Sequence, residues 1–208
     1  MAAPRRRGSE LSRRLATVPP QPFAGVVYRF IGSRFLHAPL GSAGSKLHGG
    51  RFNPPGSFEV LYTALAADTA LAEREGLLLT AAGIKAARSI RTSVLLRLTC
   101  RLAAVLDLGD EAIRRRLRIS LADLLGPWLP WNLAASGSSE SEAAYAPSQR
   151  IGMAMHQSHR FEAIVSPSAK DPSGTCLAIF PDRLRPESQV RVDDPEGTIA
   201  AALGLRRE

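Results

Sequence analysis

Cysteine is almost missing from this chain of 208 residues: Cys100 and Cys176 are the only two, 76 positions apart. Two separated thiols exclude a disulfide-stapled scaffold and suit a reducing compartment. Cys100, inside the apolar stretch 94–102, reads as a buried core thiol. Long hydrophobic runs are also lacking. Segments such as 64–67 and 77–82 fall well short of the roughly 20 residues that span a bilayer, and the N-terminus has no apolar signal-peptide core. The expectation is a soluble, cytoplasmic protein without a membrane contact. GxSxG, the P-loop and GxGxxG are all absent, which removes the signatures of an esterase elbow, a Walker nucleotidase and a Rossmann dehydrogenase. Histidine is scarce too. His156 and His159 stand three apart without a third ligand at metal spacing, and His37 and His48 lie in loops, so no metal site is expected.

What is abundant is arginine. The formal charge is +8, but half of it belongs to residues 1–14, which hold five arginines and one glutamate. With the Pro-rich stretch that follows, residues 1–22 read as a disordered basic tail, 23–200 as one folded domain and 201–208 as a C-terminal tail. At 45% hydrophobic residues the domain can bury a sizeable core. A second arginine cluster, Arg114, Arg115, Arg116 and Arg118, has Asp110, Glu111 and Asp123 nearby and reads as a solvated helical face. Direct nucleic-acid binding is therefore not expected; a basic nucleic-acid-binding protein without catalysis is the competing reading from another class.

Periodicity and punctuation predict strands at 25–31, 60–63, 92–98, 104–108, 162–166, 175–180 and 189–192. Helices are predicted from the cap Asp68 to about Leu79, over 111–117, from the cap Ser120 through Leu125, and over 147–157. Seven strands and four or five helices without regular βαβ alternation make an α+β domain, a single mixed one. Trp128 and Trp131 flank a proline and read as core or interface. The segment 136–142 is either a lid or a surface connection.

The most informative stretch is Gly49-Gly50-Arg51-Phe52-Asn53-Pro54-Pro55-Gly56. Glycine frees its backbone, proline pins it, and a guanidinium sits between, which suits a loop that approaches a phosphate-bearing ligand. Around it stand Arg29 on the first strand, Tyr62 on the next, Glu73 on the following helix and Ser166 on a late strand.

The order of these segments resembles the RES-domain family, named for an arginine, a glutamate and a serine. The resemblance runs from about Val26 to Arg183. It is carried by Tyr28-Arg29-Phe30, the glycine loop, Leu61-Tyr62-Thr63, Ala70-Leu71-Ala72-Glu73, Ile164-Val165-Ser166-Pro167-Ser168 and Leu177-Ala178-Ile179-Phe180-Pro181. It implies a fold similar to ADP-ribosyltransferase toxins and a toxin of a type II toxin-antitoxin pair that is silenced by a helix-turn-helix antitoxin. The implied substrate is NAD+, cleaved at the nicotinamide-ribose bond and inhibiting growth by NAD depletion. The chain departs from the family at Cys176, where asparagine is frequent.

The residue types suit that chemistry. Arg29 and Arg51 would hold the diphosphate through bidentate contacts, with Tyr28 beside them. Tyr62 would stack on the cationic nicotinamide. Glu73 would stabilise an oxocarbenium-like ribose, and Ser166 would be a positioning donor. Glu75 competes with Glu73, and only the family pattern selects the latter. The acceptor stays open between water (a glycohydrolase), phosphate (a phosphorylase) and a protein side chain, which would make the chain a mono-ADP-ribosyltransferase with a cellular protein target.

Overall fold

The computed structural model describes residues 5–82, 92–135 and 144–204. The loop expected at 136–142 lies outside them. Seven strands build one mixed sheet: β1 (Gln21–Gly32), β2 (Leu61–Ala64), β3 (Ser93–Asp107), β4 (Ala163–Pro167), β5 (Thr175–Ile179), β6 (Gln189–Val192) and β7 (Ala202–Leu203). Their order is β1-β2-β5-β4-β3-β6-β7, and β1 pairs with β3 as well. That extra ladder closes the first five strands into a ring. Only β3 and β4 run parallel, so the α+β expectation holds. No helix of the described residues is long and apolar enough to cross a membrane.

Strand alternation sorts the core into two layers. Val27, Ile31, Leu61, Val165, Leu177 and Ile179 belong to one cluster. Ile164, Ala178 and Phe180 belong to the other, with Tyr62 packed against it. The expected break between Leu98 and Ala104 is not there. Leu96, Leu98, Cys100, Leu102 and Ala104 are each 0–2% exposed, an unbroken period of two that makes one 15-residue strand. At its far end Glu162, 1% exposed, accepts from the N–H groups of Ala103 and Ala104 at 2.8 and 2.9 Å. It also accepts from the N–H of Arg185. This carboxylate caps the start of β4 instead of lying inside the strand.

Seven α-helices are described: α1 (Arg5–Leu15), α2 (Ala43–His48), α3 (Ala67–Ala82), α4 (Glu111–Leu117), α5 (Leu121–Leu125), α6 (Leu129–Ala135) and α7 (Pro147–Ser158). Asp110 caps α4 through the N–H groups of Ala112 and Ile113. Ser120 and Asp123 form a capping box on α5. The segments containing α1, α2 and α6 carry no helix in the sequence reading. For α1 the correction is substantial, because the segment expected to be a disordered tail is helical from Arg5. Leu15 and Val18 are 0% and 2% exposed, and Leu11 packs against the same core. Leu11 and Leu15 lie on one helical stripe, which Val18 extends in the turn after the helix, and the arginine count hides it in the sequence.

The second arginine cluster holds this helix in place. Arg116 Nε donates to Thr17 Oγ1 at 3.0 Å, and Arg118 pairs with Glu10 at 3.7 Å. Arg14 Nη1 donates to the Leu117 carbonyl at 3.4 Å. Arg114 is turned back on the carbonyls of Leu108 and Gly109.

Histidine 156 on α7 is committed to packing. Its ring stacks on Phe58 with centroids 3.9 Å apart, and Nε2 lies 2.8 Å from Asp182 Oδ2. Burial lowers its pKa, and the Asp182 carboxylate opposes that only in part.

Two stability predictions arise here. Leu15→Ala is expected to cost about 2–5 kcal/mol, the range for a buried leucine truncation, read from the urea midpoint. A lowered native pKa means that the unfolded chain binds its proton first. His156 therefore costs no stability above its ordinary pKa of 6.5 and does so as pH falls through that value toward the native one. Urea midpoints at pH 7.5 and 5 should differ less in His156→Gln than in the parent chain.

Candidate functional site

The glycine loop follows α2 directly. Gly49 turns the chain at φ 71°, and a Cβ there would stand 2.7 Å from Asn132 Nδ2. A Cβ on Gly50 would stand 2.6 Å from the ring of Tyr62. Asn53, 0% exposed, donates to the carbonyls of Ser45 and Phe58 at 2.7 and 3.0 Å. Its Oδ1 accepts from the Tyr62 hydroxyl at 2.8 Å, and that hydroxyl accepts from the Phe52 N–H at 2.8 Å. From the far side Gln149, also 0% exposed, donates to the Gly50 carbonyl at 3.0 Å and to Asn132 Oδ1 at 2.7 Å. Gly152 lets α7 come this close, since a Cβ would lie 1.8 Å from the Phe52 carbonyl oxygen. Buried backbone groups need partners, and here the Phe52 N–H and the Gly50 and Asn53 carbonyls are met by the side chains of Tyr62 and Gln149.

The loop presents Arg51. Its Nη1 donates to the carbonyls of Leu124 and Gly126 at 2.6 and 3.0 Å. Burial lowers its pKa, and Glu73, Tyr62 and Cys176 each oppose that shift. A guanidinium keeps its proton under such conditions, so this is a half-buried cation, hydrogen-bonded to carbonyls and within electrostatic reach of the Glu73 carboxylate. Glu73 projects from α3. Its Oε1 accepts from Ser168 Oγ at 2.6 Å, from the Ala169 N–H at 3.0 Å and, weakly, from the Cys176 thiol at 3.9 Å. No described residue hydrogen-bonds Oε2. Burial, with Glu73 next, pushes the Cys176 thiol up to about 12, so it stays neutral at physiological pH. Register places Tyr28, Ala64, Cys176 and Ser166 in one row across β1, β2, β5 and β4. Among the described residues no group of three or more His, Cys, Asp or Glu side chains is arranged to hold a metal ion.

The geometry fits one family. A model described as RES domain matches residues 26–201. The chain belongs to the RES-domain family. In fold, this RES chain is similar to a chain in the crystal structure of the M. tuberculosis MbcT-MbcA toxin-antitoxin complex. The TM-score is 0.64 at 23% identity, covering 88% of this chain and 89% of that one. Among curated proteins, no sequence matches it.

The RES constellation is brought together in part. Arg51, Tyr62 and Glu73 converge, with Ser166 and Tyr28 on the same sheet face. Arg29 does not join them. Strand alternation puts it with Val27 and Ile31 on the opposite face, where it donates to the carbonyls of Pro39 and Gly41 at 3.0 and 2.8 Å. Burial there lowers its pKa to about 10. Tyr62 differs from its expected stacking role as well. Its hydroxyl is spent on the loop, its ring lies under Gly50, and burial raises its pKa; it props the loop that carries Arg51. The serine in contact with Glu73 is Ser168, whereas Ser166 is buried in β4 opposite Cys176. Both serines stand in the same quoted motif, and no spacing rule separates them. The side chain of Glu75 lies outside the described residues.

The loop's tight seat makes a contrast testable. Gly152→Ala should destabilise the protein by several kcal/mol or abolish folding, because backbone cannot yield to a 1.8 Å contact. Gly44→Ala in α2, where a Cβ meets nothing within 4 Å, should be neutral or stabilising by up to about 1 kcal/mol. Thermal midpoints of the two variants check this.

Proposed function

We propose that this chain is the toxin of a toxin-antitoxin pair and cleaves the nicotinamide-ribose bond of NAD+ in the cytoplasm. One observation carries the reading: a preorganised loop and a clasped helix bring the Arg51 guanidinium within electrostatic reach of the Glu73 carboxylate, whose Oε1 is held by Ser168. Family membership supports it, as does likeness in fold to a chain of a toxin-antitoxin complex. The same likeness supports a cognate antitoxin as partner.

In this mechanism Arg51 supplies charge and N–H donors to the dinucleotide diphosphate. Glu73 offers Oε2 to a ribose hydroxyl while Oε1 stays on Ser168 and Ala169. As the C–N bond lengthens, its electron pair neutralises the pyridinium and positive charge passes to the ribose. A fixed carboxylate stabilises that charge without reorganising. No nucleophile on the protein is required. The ADP-ribosyl cation is captured by water or phosphate, and the proton lost from the acceptor passes to solvent.

Incubation of the purified protein with labelled NAD+, with and without phosphate or cell lysate, tests this directly. Free nicotinamide should appear, and the labelled product should identify the acceptor: ADP-ribose, its 1-phosphate or a modified protein. Glu73→Gln should lower kcat about 10²–10³-fold, the usual loss when one preorganised electrostatic group is removed. Arg51→Ala should act mainly on KM. Absence of nicotinamide release by the folded parent protein in all three conditions would sink the reading.

A further inference from the structure

The turn between β4 and β5 is fastened to α3 at two points. One is the contact already described, Ser168 and the Ala169 N–H on Glu73 Oε1. The other involves neither the glycine loop nor Glu73. Thr69, one helical turn before Glu73 and 1% exposed, donates through Oγ1 to Asp171 Oδ2 at 2.6 Å. Asp171 in turn orders the turn that bears it. Its Oδ1 accepts from the Ser173 N–H at 3.2 Å and from the Ser173 hydroxyl at 3.0 Å. Ser168 Oγ accepts from the N–H groups of Lys170 and Asp171 at 3.1 and 3.0 Å. Gly174 permits the approach, since a Cβ would lie 2.4 Å from Asp171 Oδ2 and 2.6 Å from Thr69.

Helical spacing makes this arrangement effective. Residues four apart stand one above the other on the same helix face, so Thr69 and Glu73 meet the turn along one line. We infer that Thr69 and Asp171 form a positioning latch. Through the turn 168–174 they hold Ser168 and the Ala169 N–H against Glu73 Oε1, so that Oε2 is the oxygen left to meet the ribose. The carboxylate would otherwise be free to rotate and exchange its two oxygens at the turn. Thr69 and Asp171 touch neither substrate nor reacting atoms in this assignment; they act through Glu73.

The catalytic part of this inference rests on the proposed NAD+ cleavage, and its test therefore needs a second readout. Cys176 provides one, because its thiol lies against the same Oε1. Cys176 is half-buried and a turn released from α3 should expose it further, whereas Cys100 stays buried in the core. Thr69→Val keeps the side-chain shape and removes the donor; Thr69→Ser keeps the donor. In the full-length protein Thr69→Val should lower kcat about tenfold or more with KM near the parent value, since small misplacements of a catalytic group cost that much. It should also speed alkylation of Cys176 by iodoacetamide several-fold, with Cys100 unchanged, followed by peptide mass spectrometry. Thr69→Ser should restore both, and Asp171→Asn should reproduce the valine phenotype in part. Parent-like alkylation of Cys176 in Thr69→Val would overturn the latch, whatever the protein does with NAD+. Faster alkylation with an undiminished kcat would overturn its positioning role. If the parent protein released no nicotinamide, the alkylation rates alone would decide the latch and the functional reading would fall separately.

Discussion

The site depends on one constraint: a guanidinium taken partly out of water has to be compensated by acceptors and a carboxylate that cannot drift. Arg51 loses hydration where it enters the protein; the Leu124 and Gly126 carbonyls accept from it, and the field of Glu73 offsets part of the loss. A buried charge left without its partner is among the costliest defects in a protein. Compensation holds only if both groups arrive at fixed positions, and the two are delivered by separate parts of the chain. The loop that carries Arg51 is held from beneath by Asn53, Tyr62 and Gln149. The helix that carries Glu73 is held by the turn after β4.

Both supports are made of polar groups, buried in the loop's case and part-buried in the turn's, which makes them directional. Hydrophobic contacts tolerate sliding, but a buried amide or hydroxyl without its partner costs roughly 1–3 kcal/mol, so each network has one arrangement that satisfies it. Glycines at 49, 50 and 152 let backbone and ring approach until those bonds close. The closed ring of five strands sets the distance between the two supports, because β2 and β4 both pair with β5. In the proposed reaction this rigidity is the useful property. Electrostatic stabilisation of a developing cation is effective when the stabilising group has no reorganisation left to make.

Much of this was legible from residue order. The alternation in β4, β5 and β6 marked those strands within a residue of their ends, and Ser120 marked a helix start through local capping chemistry, whereas Asp68, read as a cap, lies in the first turn of α3. The glycine loop announced itself by composition. Less legible was anything whose signal competed with a louder one. Leu11 and Leu15 on α1, with Val18 just after it, form an apolar stripe, but five arginines nearby read as a solvated tail. The turn-like composition of 32–46 concealed α2. A single strand passed for two because Thr99 and Arg101, polar residues of its exposed face, read as a break although the buried face runs on through 98, 100 and 102.

By itself, then, the sequence determined most of the strands, four of the seven described helices and which loop bears a cation, since those properties depend on neighbours within a few residues. It also carried the family in the order of its motifs. Tertiary structure alone decided which side chains meet. Arg29 and Tyr28 are adjacent in β1 yet face opposite layers, so one arginine belongs to the site and the other secures the 39–41 loop. Ser166 and Ser168 share a parity, and only the docking of α3 against the β4–β5 turn selects the second as the partner of Glu73. Contacts of this kind join residues about a hundred positions apart, and they are fixed by how the ring closes and how deeply each helix seats, quantities that no local pattern encodes.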